Sequence, residues 1–244
     1  MEVQCGIMVS EIDFIGLPII FKNAGMNFII VDCEHGSFCE RSLANLVMTA
    51  KLAGLQCLIR LPDNSRKHII KYMDMGACGF VLPMTNAPED ILPLVRYAKY
   101  APQGERGIST MRAHTLYNPT DLAEYMKKAN SQTKLFAQIE TRRGLEKAEE
   151  ILRTDGIDGL FIGPNDLSCD LGCIGDKAPV LEAIEKMGKL ANFGTIGIIT
   201  GDDRYLRAAE QSGYSMFCKG SELNLLKNGA TDTVRYLKNL GSNR

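Results

Sequence analysis

The 244-residue sequence lacks the features that mark several broad classes of protein. No apolar stretch reaches the ~18 to 20 residues that a membrane span needs. Lys and Arg number 28 against 29 Asp and Glu, so the net charge of −1 gives no sign of a nucleic-acid partner. The first residues include acidic Glu2 and Glu11 and no basic segment, which argues against a secretory signal. We therefore expect a cytoplasmic protein that binds neither nucleic acid nor membrane.

The eight cysteines include no C-x-x-C pair. Cys57, Cys78 and Cys218 lie inside apolar runs, where a reduced thiol packs as a small hydrophobic group. Cys169 and Cys173 lie close together, but no second ligand pair accompanies them, as a structural zinc site would require. We expect all eight to be reduced, which is typical of cytoplasmic proteins.

The sequence does contain a repeated alternation of short apolar runs and helical patterns. Eight runs are typical of buried parallel strands, namely Cys5–Val9, Phe28–Val31, Cys57–Leu61, Gly79–Leu82, Leu135–Ile139, Leu160–Ile162, Thr195–Ile199 and Met216–Lys219. Four intervening segments carry clear helical signals, namely 41–53, 65–75, 88–100 and 222–240. The first two stop at Gly54 and Gly76, the residue type that commonly ends a helix.

Eight strand–helix repeats predict parallel pairing with right-handed crossovers, which close into a single (β/α)8 TIM barrel over residues 1–244. The alternative is an open doubly wound sheet that binds a dinucleotide. That fold would place G-x-G-x-x-G after the first strand, where this chain has Ser10-Glu11-Ile12-Asp13. About 50 residues separate the fourth and fifth strands, and we interpret segment 100–108 there as a lid or subunit contact on the catalytic face.

Polar side chains follow four of the predicted strands, at the end where barrel enzymes build their active sites. They are Asp32 and His35 after the second strand, Arg60 at the third, Gln138 and Glu140 at the fifth, and Asn165 and Asp166 after the sixth. Two carboxylates on neighbouring strands, Glu140 and Asp166, could share one hard divalent cation and leave coordination positions for water and substrate.

The other polar residues of this group suit chemistry beside such a cation. Arg60 offers a fixed cationic fork for a carboxylate or a developing enolate oxygen. His35 could move protons near neutral pH, and Asp32, three residues earlier, could orient it. The combination suits proton abstraction beside a carbonyl, or C–C cleavage to an enolate.

Seven segments in the same order resemble the HpcH/HpaI family of metal-dependent (class II) pyruvate aldolases, and they span nearly the whole chain. They are Asp32-x-Glu34-His35-Gly36, Ile59-Arg60-Leu61-Pro62, Asp74-x-Gly76-Ala77, Pro83-Met84, the run from Tyr100 to Gly107, Gln138-Ile139-Glu140-Thr141, and Asp158 to Ser168. Each segment alone is a weak signal, and their shared order makes the resemblance specific.

The resemblance implies a barrel of the phosphoenolpyruvate/pyruvate type and a definite activity. The expected reaction is reversible retro-aldol cleavage of a 4-hydroxy-2-oxo acid, of the 2-keto-3-deoxy sugar acid type, to pyruvate and an aldehyde through a metal-bound pyruvate enolate. Glu140 and Asp166 would hold Mg²⁺, Mn²⁺ or Co²⁺, and Gln138 would lie close to pyruvate. Backbone amides around Asn165 and Asp166 would bind the pyruvate carboxylate.

The same resemblance assigns the remaining roles and an assembly. Arg60 would stabilise the enolate oxygen, and His35 with Asp32 would handle the proton of the aldol hydroxyl. The chain would form a homohexamer built from dimers, in which Asp74 contacts the aldehyde side from a neighbouring subunit. This sequence departs from the family in three ways that affect substrate choice. Asn165 stands where alanine is common, no tryptophan is present, and no helix precedes the first strand.

Three alternatives remain open. A related lyase acting on malyl-CoA or citryl-CoA would need a basic patch for the CoA phosphates, and no dense Lys/Arg cluster lies beside the strand ends. A catalytically idle barrel that binds a 2-oxo acid should have lost ligands or proton carriers, and none is missing. A Schiff-base aldolase needs a buried lysine on an inner strand, for which Lys219 is the only candidate.

Overall fold

The computed structural model describes residues 2–119 and 121–241. Its strands are β1 (Gln4–Val9), β2 (Phe28–Asp32), β3 (Gln56–Arg60), β4 (Gly79–Leu82), β5 (Lys134–Ile139), β6 (Gly159–Ile162), β7 (Thr195–Thr200) and β8 (Met216–Ser221). Its helices are α1 (Leu17–Asn23), α2 (Glu40–Ala53), α3 (Arg66–Met75), α4 (Pro88–Ala98), α5 (Leu122–Gln132), α6 (Arg142–Leu152), α7 (Pro164–Asp170), α8 (Ala178–Gly188), α9 (Asp203–Gln211) and α10 (Glu222–Gly241). A short 3-10 turn covers Ala113–Thr115.

The eight strands form a closed parallel barrel in which each strand pairs with the next and β8 returns to β1. This confirms the predicted (β/α)8 barrel. The predicted helices are present as α2, α3, α4 and α10, and Gly54 and Gly76 end α2 and α3 with φ of 67° and 101°. A side chain at such a left-handed position is disfavoured, which explains why glycine ends both helices.

Alternation along the strands divides the side chains between two cores. The barrel interior is filled by Met8, Phe28, Ile30, Leu58, Val81, Phe136, Phe161, Met216 and Cys218. Because successive strand residues point to opposite faces, the period of two that turns Leu58 inward also turns Arg60 inward at the C-terminal end of β3. The strand C-termini therefore place polar side chains over an apolar barrel interior.

The long connection lies at the end of the barrel opposite to the predicted one. Because α4 returns the chain to the N-terminal ends of the strands, residues 99–119 follow at that end, where Arg106 and His114 lie beside Cys78 and Thr133. The placement of segment 100–108 on the catalytic face is therefore wrong. The amide of Asn130 holds this segment, since it accepts from the N–H of Tyr100 at 2.7 Å and donates to the Tyr100 carbonyl at 2.8 Å. No helix within the described ranges is long and apolar enough to cross a bilayer.

Candidate active site

A buried ion pair joins the C-terminal ends of β2 and β3. Asp32 and Arg60 are register partners on these strands, and the arginine donates from Nε to Oδ1 at 2.9 Å and from Nη2 to Oδ2 at 2.6 Å. The pair is bidentate, which fixes the plane of the guanidinium. Burial alone would raise the pKa of Asp32, but the hydrogen bonds and charge of Arg60 hold it below its ordinary value. Arg60 is thus a rigid cation at the edge of the site.

His35 lies beside this pair without the predicted side-chain contact to Asp32. The Asp32 carboxylate accepts instead from the backbone N–H groups of Glu34 and His35, at 3.0 and 3.2 Å. The imidazole is 71% exposed, and its Nε2 is 4.0 Å from a carboxylate oxygen of Glu34. Asp32 therefore orients Arg60 and the turn that carries His35, while the imidazole itself is open to solvent and to an incoming ligand.

Gln138 and Glu140 form the opposite wall, at the end of β5. Glu140 is buried, and its two carboxylate oxygens accept from Gln138 Nε2 at 2.8 Å and from the backbone N–H of Met84 at 2.9 Å. Met84 has φ of 49°, an unusual conformation for a non-glycine residue that is often found at functional sites. The Oε1 atom of Gln138 is buried and has no hydrogen-bond partner among the described residues. An acceptor of this kind is satisfied by a bound ligand or water.

Asn165 and Asp166 are presented by a helix rather than directly by the end of β6. The helix α7 begins at Pro164, so both residues lie in its first turn, where backbone N–H groups have no acceptor within the helix. A Cβ added at Gly163 would lie 2.5 Å from a Glu140 carboxylate oxygen. Glycine at that position lets the β6–α7 turn approach Glu140, and it brings the positive end of a helix to the carboxylates.

Negative charge accumulates around Glu140, and the charge of Arg60 offsets only part of it. Burial, followed by the charges of Asp166 and Glu34, raises the pKa of Glu140 to about 7. Burial and the nearby charges of Asp32 and Asp166 also raise the pKa of Glu34. Like charges that face one another in a buried site are relieved by a bound cation.

The donor set fits a hard divalent metal ion. Within the described ranges, no group of three or more His, Cys, Asp or Glu side chains is arranged to hold a metal. A metal ion at this site would therefore have only two protein ligands of these types, the carboxylates of Glu140 and Asp166. Oxygen-only ligation by one or two carboxylates, completed by water and substrate, suits Mg²⁺ or Mn²⁺. The crowding around Glu140 and the unmet acceptor of Gln138 are the features of this structure that fit such an ion.

Two residues considered from the sequence lie outside this cluster. Asp74 is in the last turn of α3, at the N-terminal end of the barrel, where Arg106 Nη2 donates to it at 2.9 Å. Lys219 does not point into the barrel, because its neighbour Cys218 does, and it pairs with Asp203 at 2.6 Å on the exposed outer side. The placement of Lys219 as a buried inner-strand lysine is therefore wrong, and this geometry gives no support to a Schiff base at Lys219.

Sequence reasoning missed three contributors to the site. Glu34 lies 3.4 Å from Arg60 Nε and forms a second acidic contact to it. Met84 supplies a backbone donor, and Gly163 supplies the space beside Glu140. The signal for Glu34 was available, because it lies between Asp32 and His35 in the same turn. The other two act through backbone geometry, which has no side-chain signature.

Comparisons with known proteins identify the family of this chain. The family model HpcH/HpaI aldolase/citrate lyase matches residues 19–229. A hydroxypyruvate/pyruvate aldolase of Roseovarius nubinhibens is 32% identical over 219 residues, covering 88% of this chain and 85% of that protein. The crystal structure of an HpcH/HpaI aldolase from Desulfitobacterium hafniense has a TM-score of 0.91 at 32% identity, covering 97% of this chain and 93% of that one.

A more distant structure shows the fold alone. The CitE protein of Mycobacterium tuberculosis, solved in complex with magnesium and pyruvate, has a TM-score of 0.55 at 16% identity, covering 89% of this chain and 85% of that one. The family match and the close relatives together establish that the chain belongs to the HpcH/HpaI aldolase/citrate lyase family.

Proposed function

We propose that this HpcH/HpaI family member cleaves a 4-hydroxy-2-oxo acid reversibly to pyruvate and an aldehyde. The observation that carries the proposal is the convergence of two carboxylates, an oriented arginine and an exposed imidazole at the C-terminal end of one barrel. Cleavage of the C3–C4 bond leaves negative charge on the keto oxygen of the pyruvate fragment. A rigid cation and a metal site beside that oxygen are the groups that stabilise it.

We further propose that the cofactor is a divalent cation, Mg²⁺, Mn²⁺ or Co²⁺, held by Glu140 and Asp166. When bound, the ion would act as a Lewis acid toward the keto and carboxylate oxygens of the substrate. The crowding of the Glu140, Asp166 and Glu34 carboxylates supports this assignment. The distant CitE protein was solved in complex with magnesium and pyruvate, which is consistent with it.

Each remaining side chain has a role that its contacts support. The N–H groups of Asn165 and Asp166, in the first turn of α7, would bind the substrate carboxylate. Arg60, fixed by Asp32, would donate to the oxygen on which charge develops. Gln138 would border the pyruvate fragment, and its unmet Oε1 would accept a hydrogen bond from a water molecule in the site, because the pyruvate fragment has no donor.

Proton transfer at the aldol hydroxyl is assigned to His35. Cleavage requires that the 4-hydroxyl lose its proton as the carbonyl of the aldehyde forms, and synthesis requires the reverse. The imidazole is the exposed titratable group of the β2 turn that can exchange this proton with water near neutral pH. Asp32 acts on His35 only through its backbone N–H, so it positions the turn rather than the ring.

The test is a retro-aldol panel with pyruvate release coupled to lactate dehydrogenase. The panel spans short-chain, sugar-acid and dicarboxylic 4-hydroxy-2-oxo acids, and the synthesis direction compares pyruvate with hydroxypyruvate because a relative carries both names. We expect at least one acid to be cleaved with Mg²⁺, Mn²⁺ or Co²⁺ and none after EDTA treatment. Silence across the whole panel would favour an idle barrel. Cleavage confined to acyl-CoA thioesters would favour the CoA lyase alternative.

We also propose that the protein is a homo-oligomer, and the family resemblance implies a hexamer. We propose that α10 forms the interface between two copies of the chain. Beyond Glu222 this helix is exposed, including Leu226 at 63% and Leu237 at 58%. Its start is anchored, because the Glu222 carboxylate accepts from the backbone N–H groups of Ser10 and Glu11 at 2.9 and 2.7 Å. A cavity of about 620 Å³ lies beside β1 and β8. An exposed apolar helix next to an open apolar cavity is typical of an interface.

The occupant proposed for this surface is a second copy of the chain, with α10 of each copy packing onto the other. Native mass spectrometry should show more than one chain for the wild type. The double substitution Leu226→Arg/Leu237→Arg should reduce the mass to a single chain. The control Leu52→Arg, at an equally exposed leucine of α2, should leave the assembly intact. An unchanged assembly in the double variant would contradict the role of α10.

Two further assignments concern a neighbouring subunit and the cellular compartment. In the assembly, Asp74 of a neighbouring subunit is proposed to face the aldehyde side of the site, and its side chain retains 23% exposure beyond its contact with Arg106. The cytoplasm is the proposed compartment, because all eight cysteines are free thiols in the fold, as reducing compartments maintain them.

A further inference from the structure

A second polar cavity lies at the N-terminal end of the barrel, away from the proposed active site. Its volume is about 380 Å³. Its lining includes Cys78 and Thr133, which directly precede β4 and β5, and His114 from the long connection. The proposed aldolase reaction uses none of these residues.

Positive charge dominates the lining of this cavity. Lys51, Lys128 and Arg106 contribute three cations, and Glu124 is the one carboxylate among the described lining residues. The ammonium group of Lys51 makes no hydrogen bond or ion pair with any residue in the described ranges. Partial desolvation of the ammonium group, together with the charges of Lys128 and Arg106, lowers the pKa of Lys51. Cations that repel one another in this way attract an anion.

The deepest cation is held rigidly and has an unused donor. Arg106 is 4% exposed, its Nη2 donates to Asp74 at 2.9 Å, and its guanidinium lies 4.7 Å from the centre of the Tyr100 ring. Its Nε–H is buried and has no partner within residues 2–119 and 121–241. Beside it, the buried His114 is fixed by the Tyr125 hydroxyl and by the carbonyl of Ser109. A preorganised wall with an unmet donor differs from a chance group of surface lysines.

We propose that this cavity binds a small organic anion that carries a phosphate or carboxylate group. Lys51, Lys128 and Arg106 would hold the charged group, since cationic donors form the strongest hydrogen bonds to such oxygens. The apolar part of the lining, Met73, Leu116 and Ala129, would contact the carbon skeleton. The proposal does not depend on the aldolase activity, because Lys51, Lys128 and Arg106 have no assigned role in that reaction.

Isothermal titration calorimetry on the full-length protein tests the proposal with three probes at constant ionic strength. Glycerol 3-phosphate, succinate and inorganic phosphate separate an organic phosphate, an organic dicarboxylate and the bare anion. We expect saturable binding of at least one organic probe, with at least tenfold weaker affinity in Lys51→Met/Lys128→Met. The control Lys189→Met removes one lysine charge at the end of α8, away from the cavity lining. This variant should bind the probes as tightly as the wild type does.

The variants distinguish this cavity from other anion sites. Lys51 and Lys128 are both solvent-exposed, so we expect the double variant to fold. An unchanged thermal unfolding midpoint in the absence of probe would verify this. Equal affinity in the double variant and the wild type would place the anion elsewhere and overturn the proposal. Absence of saturable binding for all three probes would overturn it as well. Tighter binding of succinate than of glycerol 3-phosphate would support it and identify the ligand as a carboxylate.

Discussion

The barrel carries an aspartate–arginine pair with a buried arginine at each end, and the two pairs lie in surroundings of opposite charge. At the C-terminal end, Arg60 is bonded to Asp32 and has a second acid, Glu34, at 3.4 Å. At the N-terminal end, Arg106 is bonded to Asp74 at 2.9 Å, and the nearby cavity is lined by lysines. The first pair lies within a site crowded with carboxylates, and the second lies within a site crowded with cations.

This difference shows that the ion pair alone does not determine what each end of the barrel does. Each pair satisfies a buried arginine, which is a structural task in any fold. What surrounds the pair determines what else can bind, since excess carboxylate attracts a metal ion and excess cation attracts an anion. We expect the C-terminal end to perform chemistry and the N-terminal end to perform none.

The largest expected effect concerns the two proposed metal ligands. With Mg²⁺, Mn²⁺ or Co²⁺ present, the protein should exchange the methyl protons of pyruvate for deuterium, which proton NMR detects without any aldehyde. Glu140→Ala, Asp166→Ala and EDTA should each abolish exchange, because no cation then stabilises the negative charge that proton loss leaves on pyruvate. His35→Ala should retain part of the exchange and lose more of the C–C cleavage.

The outcomes of this experiment discriminate between mechanisms. Exchange that survives both chelation and Glu140→Ala would rule out the metal mechanism and return attention to an imine on a lysine. Equal loss of exchange and cleavage in His35→Ala would assign His35 to the methyl proton instead of the aldol hydroxyl. The matched control is Asp74→Ala, which removes a carboxylate at the N-terminal end and should leave exchange unchanged.

The next effect compares the two arginines directly. Arg60→Lys keeps the charge but loses the fork, so we expect kcat to fall by roughly 10²-fold, the usual cost of losing an oxyanion donor. Arg106→Lys makes the same chemical change at the other end and should alter kcat by less than about threefold while lowering the unfolding temperature. A raised KM with unchanged kcat in Arg60→Lys would show that Arg60 only binds substrate.

Much of the C-terminal end follows from periodicity in the sequence. Alternation along β2, β3 and β5 turns Asp32, Arg60 and Gln138 to the inside, and parallel pairing brings the three strand ends together. These features depend on local order, so one sequence is enough to predict them.

Other parts of both ends depend on contacts that no local pattern encodes. Asp32 bonds to Arg60 instead of the His35 ring because the register of β2 and β3 places the two side chains opposite each other. Asp74 and Arg106 are 32 residues apart, and their pairing requires α4 to return the chain to the N-terminal end. The misplacement of the long connection has a different origin, because the helix predicted at 88–100 already implied that return.

A smaller effect concerns the free energy of unfolding of the metal-free protein, and it tests the excess of carboxylates around Glu140. A glutamate in the unfolded chain loses its proton near pH 4.5, whereas the pKa of folded Glu140 is about 7. Because folding disfavours the ionised form, the destabilisation appears as pH rises above 4.5 and is complete above 7. Glu140→Gln should therefore stabilise the metal-free protein by about 3 kcal/mol at pH 8 and by less than half of that at pH 5.5.

Urea unfolding of EDTA-treated protein at the two pH values measures this gain. The control Glu124→Gln, at an exposed acid of the N-terminal cavity, should change the free energy of unfolding by less than ~0.5 kcal/mol. Added Mn²⁺ should stabilise the wild type more than Glu140→Gln. A gain from Glu140→Gln that is equal at pH 5.5 and pH 8 would show that Glu140 is not destabilised by its charge.

The smallest effect decides whether the N-terminal pair also serves a neighbouring active site. If Asp74 contacts the aldehyde side of another subunit, Asp74→Asn should raise KM for the cleaved acid about fivefold, which corresponds to the ~1 kcal/mol of one ordinary hydrogen bond, and leave methyl exchange on pyruvate unchanged. Asp158→Asn is the matched control, because Asp158 is equally exposed at 23% and forms a similar ion pair, with Lys134 at 2.7 Å. Both substitutions should lower stability, since each removes a charged partner. A lowered unfolding temperature with unchanged KM in Asp74→Asn would confine Asp74 to holding Arg106, and the two ends of the barrel would then share no substrate.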